Sequence, residues 1–310
     1  MTNSVSAIDA TRTLIDQIEH LIHQDVGRHV QALFAAASGG LWSAAHALAG
    51  ASRPHIGLIT GFYVPLGTPP AAETDGPAAT ALLVTALTRA GIPCRVLTDD
   101  PCREACRAAL AGAALQDVPV DTVGVDEPLG GMIAAWRDHG ITCAIAIERC
   151  GRSAGGPPRN MRGVDISAHT AALDELFSAG PWQTIGIGDG GNEIGMGSLP
   201  RPLVAEHVNE GEIIACVTPA DHLIMTGVSH WGAYGLIAAL ALLRPDWMSV
   251  LLPCLDPALD RAILRKLVTE GPAVDGVTQR QTLTIDTLGL EAHHAKMRQI
   301  LAVCRRAGHT

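Results

Sequence analysis

Apolar residues recur every three to four positions between Ile8 and Val30, at Leu14, Ile15, Ile18, Leu21, Ile22 and Val26. That spacing predicts one buried helical face, and a second helical stretch continues to about Ala49. The pattern then changes to short continuous apolar runs. His55 to Phe62, Cys94 to Thr98, Val118 to Val125, Thr142 to Ile147 and Trp182 to Ile187 read as strands. Ile213 to Thr218 and a strand-like Met248 to Pro253 follow, with His222 to Met225 a short apolar continuation and Ser229 to Tyr234 a turn. Helices are expected at Ala78 to Ala90, Arg103 to Ala111, Gly131 to His139, Thr170 to Ser178, about Ala233 to Leu243, Pro257 to Thr269 and Leu290 to Arg305. Strands buried on both faces read as unbroken apolar runs, and their alternation with helices favours a parallel sheet. The expected fold is α/β: a mainly parallel, Rossmann-like sheet flanked by helices, with a small C-terminal hairpin over Gly276 to Ile285. No linker or composition shift divides the chain, so residues 1–310 are expected to form one domain, with helices in residues 1–50 packing on it.

Composition narrows the function. The chain is 47% hydrophobic but only 3% aromatic, so its core is built from Ala, Leu, Ile and Val. A formal net charge of −9, with the 22 Lys and Arg residues scattered, argues against nucleic acid as a partner. Ala32 to Ala51 carries no charge, yet its Ser, Gly and His content is too polar for a membrane span. It reads as a buried helix pair broken near Gly39 and Gly40. No basic stretch followed by an apolar core opens the sequence. The eight cysteines show neither a C-x-x-C pair nor zinc-site spacing. Together these features predict a reduced, cytoplasmic protein, and they leave a homo-oligomer open.

The chemistry gathers around Gly186 to Gly197, GIGDGGNEIGMG, which holds six glycines in twelve residues. Glycine this dense marks positive φ or a close backbone approach. Polar clusters follow the expected strands directly: Thr60 and Gly61; Glu148, Arg149 and Arg152; Asp189, Asn192 and Glu193; Thr218 and Asp221. Glu73 and Asp75 lie in the loop after the first. Strand C-termini of a parallel sheet share one edge, where ligands bind, so these residues are expected to converge in one crevice. Gly186, Gly188 and Gly191 also fit G-x-G-x-x-G numerically. The first two fall inside the apolar run and no good helix follows, which weighs against a dinucleotide. The carboxylates at the edge are hard oxygen ligands suited to Mg²⁺ or Mn²⁺, although nothing in the sequence requires a cofactor. Plainer readings exist: Asp75 and Pro77 suit a helix start, Trp231 and Tyr234 suit a core, and one of His293 and His294 is expected to face solvent.

Taken together, ITGF (59–62), ETDGP (73–77), IERCGR (147–152), GDGGNEIGMG (188–197), TPAD (218–221), GVSHWGAYGL (227–236) and DGVT (275–278) resemble the D-glutamate cyclase family, from roughly residue 10 to 305. The resemblance departs at His230, where the family tends to have Asn. It implies a hydro-lyase that reversibly dehydrates D-glutamate to 5-oxo-D-proline. Closing the lactam needs a base for the ammonium, an acid for the departing oxygen and donors for a tetrahedral oxyanion. Asp189 and Glu193 are the expected acid and base, with Glu148 and Asp75 as further catalytic carboxylates and Glu73 beside them. Arg149 or Arg152 is expected to hold the α-carboxylate. The backbone N–H groups of the glycine loop, at Gly190, Gly191 and Asn192, are expected to serve the oxyanion. Thr60, Gly61, Ser229, His230 and Trp231 complete the expected substrate contacts. Two alternatives remain open: a kinase-like or phosphosugar enzyme, though no G-x-x-x-x-G-K-[ST] loop occurs, and a non-catalytic small-molecule binding protein.

Overall fold

Strands of unbroken apolar sequence need cover on both faces, and the structure supplies it. The computed structural model describes residues 2–307, with side chains from residue 8. Its central sheet has six strands: β1 (Ile56–Thr60), β2 (Cys94–Asp99), β3 (Val120–Val123), β4 (Cys143–Ile147), β5 (Gln183–Gly188) and β6 (His222–Met225). They lie in the order β3-β2-β1-β4-β5-β6, every neighbouring pair parallel. Ile56 is in register with Cys94 on one side and with Cys143 on the other. This is a doubly wound order, and its direction reverses between β1 and β4, the position where such sheets open a ligand crevice.

Among the described residues, thirteen α-helices surround the sheet: α1 (Thr2–Ile22), α2 (Gln31–Ala36), α3 (Gly40–Gly50), α4 (Asp75–Arg89), α5 (Arg103–Gly112), α6 (Gly130–Asp138), α7 (Leu173–Ala179), α8 (Arg201–His207), α9 (Gly211–Ile214), α10 (Ser229–Leu243), α11 (Pro245–Leu251), α12 (Pro257–Glu270) and α13 (Leu290–Ala307). Side chains alternate across a strand, so Leu58, Ile145 and Ile147 join the core under α1, α3, α4, α5 and α10 to α13. Ile59, Ala144 and Ala146 join the opposite core under α6 and α7. The heavier layer contains α10, buried from Ser229 to Leu242, as a helix apolar all round must be. Its N-terminus, like that of α4, is at the sheet edge where β4 and β5 end.

Several expectations are corrected. Ile213 to Thr218 is no strand: α9 ends at Ile214, and Cys216 and Val217 donate to Gly191 O and Arg152 O as a cover over the glycine loop. Ile213 and Val217 are exposed, and the sheet position belongs to His222–Met225. Met248 to Pro253 is helical, because a short apolar run does not itself distinguish strand from helix and Pro245 starts α11. Ser229 to Tyr234 is the opening of α10, not a turn. The first helix stops at Ile22 instead of Val30. The C-terminal ribbon pairs Thr284–Ile285 with Leu288–Gly289, beyond the expected Gly276 to Ile285. His293 and His294 are both buried. Residues 32–51 do form two helices, separated where Gly39 takes φ 87°. Among the described residues, no helix is long and apolar enough to cross a membrane.

Candidate active site

The β1/β4 switch opens a cavity of about 390 Å³. Glu148 follows β4 directly, Asp189 follows β5 directly, and Asp75 is the first residue of α4. One carboxylate oxygen from each lies within 4.8 Å of the other two, and all three residues are buried. Ser229, at the start of α10, joins them. Its N–H donates to Asp75 Oδ2 at 3.1 Å and to Asp189 Oδ2 at 2.9 Å, and its hydroxyl donates to Glu148 Oε2. Asp75 Oδ1 is buried with no hydrogen-bond partner.

Glu148 holds φ 43°, in the left-handed region. For a residue with a Cβ such a conformation costs on the order of 1–3 kcal/mol and recurs at functional sites. His29 and Asp286, with φ 60° and 52°, also line the cavity in that region. Burial above all, and then neighbouring carboxylates, push Glu73, Asp75 and Glu148 well above the usual carboxylate range. Burial raises Asp189 in the same way, against the opposing pull of Arg28.

The glycine loop folds around its own carboxylate. Glu193 accepts N–H groups from Asp189 at 3.1 Å, Gly190 at 2.6 Å and Gly191 at 2.7 Å. Of the donors expected to serve an oxyanion, those of Gly190 and Gly191 are therefore already engaged. The loop returns against β5 because Gly186 and Gly195 touch: a Cβ on either would lie 2.8 Å from the other's Cα. Asn192 lines the cavity and donates from Nδ2 to Arg159 O at 2.7 Å.

The structure thus brings Glu73, Asp75, Glu148, Asp189, Asn192, Glu193 and Ser229 together with Gly190 and Gly191. It places the other expected contacts elsewhere. Arg149 is buried away from the cavity, paired with Asp99 at 2.6 Å and donating to Gly61 O and Ala171 O. Arg152 is exposed and pairs with Asp174 at 3.4 Å. Thr60 donates to Ile147 O. His230 binds Asp260 at 2.7 Å, and Trp231 donates to His293; none of these five expected side chains, Arg149, Arg152, Thr60, His230 and Trp231, lines the cavity.

The cation at the acid wall is Arg28, which the expected first helix had absorbed. It lies 2.8 Å from Asp286 and 3.3 Å from Asp189, and donates to Gly227 O at 2.9 Å. The strap that carries it is an Asx turn, in which Asp25 accepts the N–H groups of Arg28 and His29. Asp25 and Gly27 were the available sequence signal for it. Asp286 is in the tight turn of the C-terminal ribbon, where Asp286 and Thr287 both have positive φ. The usual Asn-Gly or Asp-Gly signal for that turn is absent.

Fold and site together define a Rossmann-like α/β protein with a small carboxylate-lined cavity at its topological switch. The chain belongs to the family described as D-glutamate cyclase-like, C-terminal, which matches residues 18–301. A curated relative, the mitochondrial D-glutamate cyclase of Homo sapiens, is 31% identical over 204 residues, which are 60% of this chain and 32% of the human protein. The matched stretch thus spans about a third of that relative's length.

Proposed function

We propose that this cavity interconverts D-glutamate with 5-oxo-D-proline and water. One observation carries the reading: Asp75, Glu148 and Asp189, three buried carboxylates of which two line one small cavity, meet at a single serine. Lactam closure exchanges protons between an amine and a carboxyl group, and carboxyl groups displaced from their usual pKa suit that exchange. The name of the human relative supports the same reading. A phosphate ligand fits less well, because Glu193 already takes the glycine-loop N–H groups of Asp189, Gly190 and Gly191 that would cradle it.

The triad also fits a divalent cation. Asp75 Oδ1 is buried and unpartnered, the three oxygens lie within 4.8 Å of each other, and all are hard donors. Asp75, Glu148 and Asp189 would hold Mg²⁺ or Mn²⁺, which when bound would polarise a carboxyl group as a Lewis acid. The chain's own groups do the rest. Ser229 fixes the spacing of the three carboxylates, Glu193 keeps the glycine loop closed, and Arg28 offsets charge on the acid wall.

The test is to incubate the protein with D-glutamate, L-glutamate or 5-oxo-D-proline, with Mg²⁺, Mn²⁺ or chelator, and to follow interconversion by chiral chromatography. Conversion of the D forms in either direction is expected. Absence of conversion in both directions under every condition overturns the reading.

A further inference from the structure

The cavity wall is polarised. All five carboxylates that line it come from Glu73, Glu148, Asp189, Glu193 and Asp286. The segments 27–29, 160–162 and 207–209 contribute none. They bring Arg28, His29, Asn160, Arg162, His207 and Asn209 instead. Arg28 is already engaged by Asp189 and Asp286. Arg162 is different: it is exposed at the mouth, and its guanidinium makes one 3.3 Å bond to Val277 O. Among the described residues it has no carboxylate partner.

The turn that presents Arg162 is built for the purpose. Asn160 Oδ1 accepts the N–H groups of Arg162 at 3.0 Å and Val164 at 3.1 Å. Arg159 donates to Gly163 O at 2.8 Å. Across the mouth, Asp275 Oδ1 accepts from Val277 and Thr278, which fixes the carbonyl that Arg162 reaches. An unspent guanidinium on an ordered turn, lining the same small cavity as five carboxylates, is suited to one end of an amphoteric ligand. A carboxylate at the rim would meet the guanidinium and hydrogen-bond donors from two histidines and two amides.

We propose that this rim is the carboxylate subsite and that Arg162 selects ligands whose carboxylate survives the reaction. The proposal rests on the lactam reading above. In that reading the α-carboxylate is present in both the open amino acid and the ring product. Holding it at the rim turns the amine and the reacting carboxyl group towards Asp75, Glu148 and Asp189. The ligand class is therefore a five-membered lactam, or its open form, bearing a carboxylate, and simple lactams are excluded.

Calorimetric binding of 5-oxo-D-proline to the full chain, beside turnover, tests the proposal, with 2-pyrrolidinone as the same ring without its carboxylate. Arg162→Ala is expected to weaken 5-oxo-D-proline binding by about 10- to 100-fold, the size of a lost charge-assisted contact. It should raise KM similarly while kcat stays within about threefold, the pattern of lost uniform binding. Arg162→Lys should restore part of the affinity, and 2-pyrrolidinone should bind wild type and variant equally weakly. A wild type that converts substrate beside an Arg162→Ala variant with unchanged affinity and KM overturns the rim assignment alone. A wild type that neither binds nor converts 5-oxo-D-proline overturns the functional reading and the subsite with it.

Discussion

Arg149 offers the sharpest test of where this protein spends its positive charge. Its guanidinium pairs with Asp99 at 2.6 Å, the two side chains are 1% and 0% exposed, and it donates to Gly61 O and Ala171 O at 2.7 Å each. Breaking a buried pair from one side costs about 3–5 kcal/mol, because the remaining charge is uncompensated. Ala171 O keeps the Leu173 N–H, and the orphaned Gly61 carbonyl adds roughly 1 kcal/mol, so Arg149→Met should lose about 4–6 kcal/mol in all. Melting entropy is about 2.1 cal/mol/K per residue, or roughly 0.65 kcal/mol/K for a chain of 310 residues. The expected fall in Tm is therefore about 6–9 °C by calorimetry. KM for the folded protein in the turnover assay should change less than about twofold, since only uniform ligand binding would move it. Replacing Asp99 by Ala in the same chain should return part of the stability. A Tm within about 2 °C of wild type, together with a KM raised tenfold or more, would refute this reasoning and put Arg149 on the substrate.

Asp189→Asn keeps an oxygen for the Ser229 N–H but removes one of the three clustered carboxylates and its proton-carrying capacity; turnover should fall about 100-fold or more, and near-wild-type kcat would take Asp189 out of the chemistry. Arg28→Met should destabilise the metal-free protein increasingly as pH rises. Glu73, Asp75 and Asp189 titrate above their usual values in the fold, with Arg28 opposing the rise. The folded state thus keeps protons that the unfolded state releases from about pH 4 upward. That contribution to stability is complete at low pH and is lost as pH climbs towards the raised folded values. Thermal melts in chelator from pH 5 to pH 8 check it, and a deficit independent of pH counts against the charge account.

The strands were legible because burial on both faces leaves unbroken apolar runs, as in Cys143–Ile147. The site edge was legible because polar residues follow those runs at once, as Glu148 and Asp189 do. Side-chain direction was harder to read. Neighbours at a strand end point to opposite sides, so Glu148 enters the cavity while Arg149 enters the core. Likewise Ser229 meets the carboxylates while His230, one step round the helix, meets Asp260. Arg28 was hidden because Val26 prolongs the helical spacing past the true end at Ile22. Asp286 was hidden because nothing in Asp-Thr announces a turn with two positive φ values.

The pairing of Arg28 with Asp286 joins segments near the two ends of this sequence. Synthesis runs from the amino end, so the arginine is made before any of the acidic residues it will meet. Its last partner follows all six strands of the central sheet and all but the final helix in the sequence. A chain shortened before Asp286 would keep Asp189 as the one carboxylate partner of Arg28, and its ligand affinity would report what the wall from the C-terminal ribbon contributes.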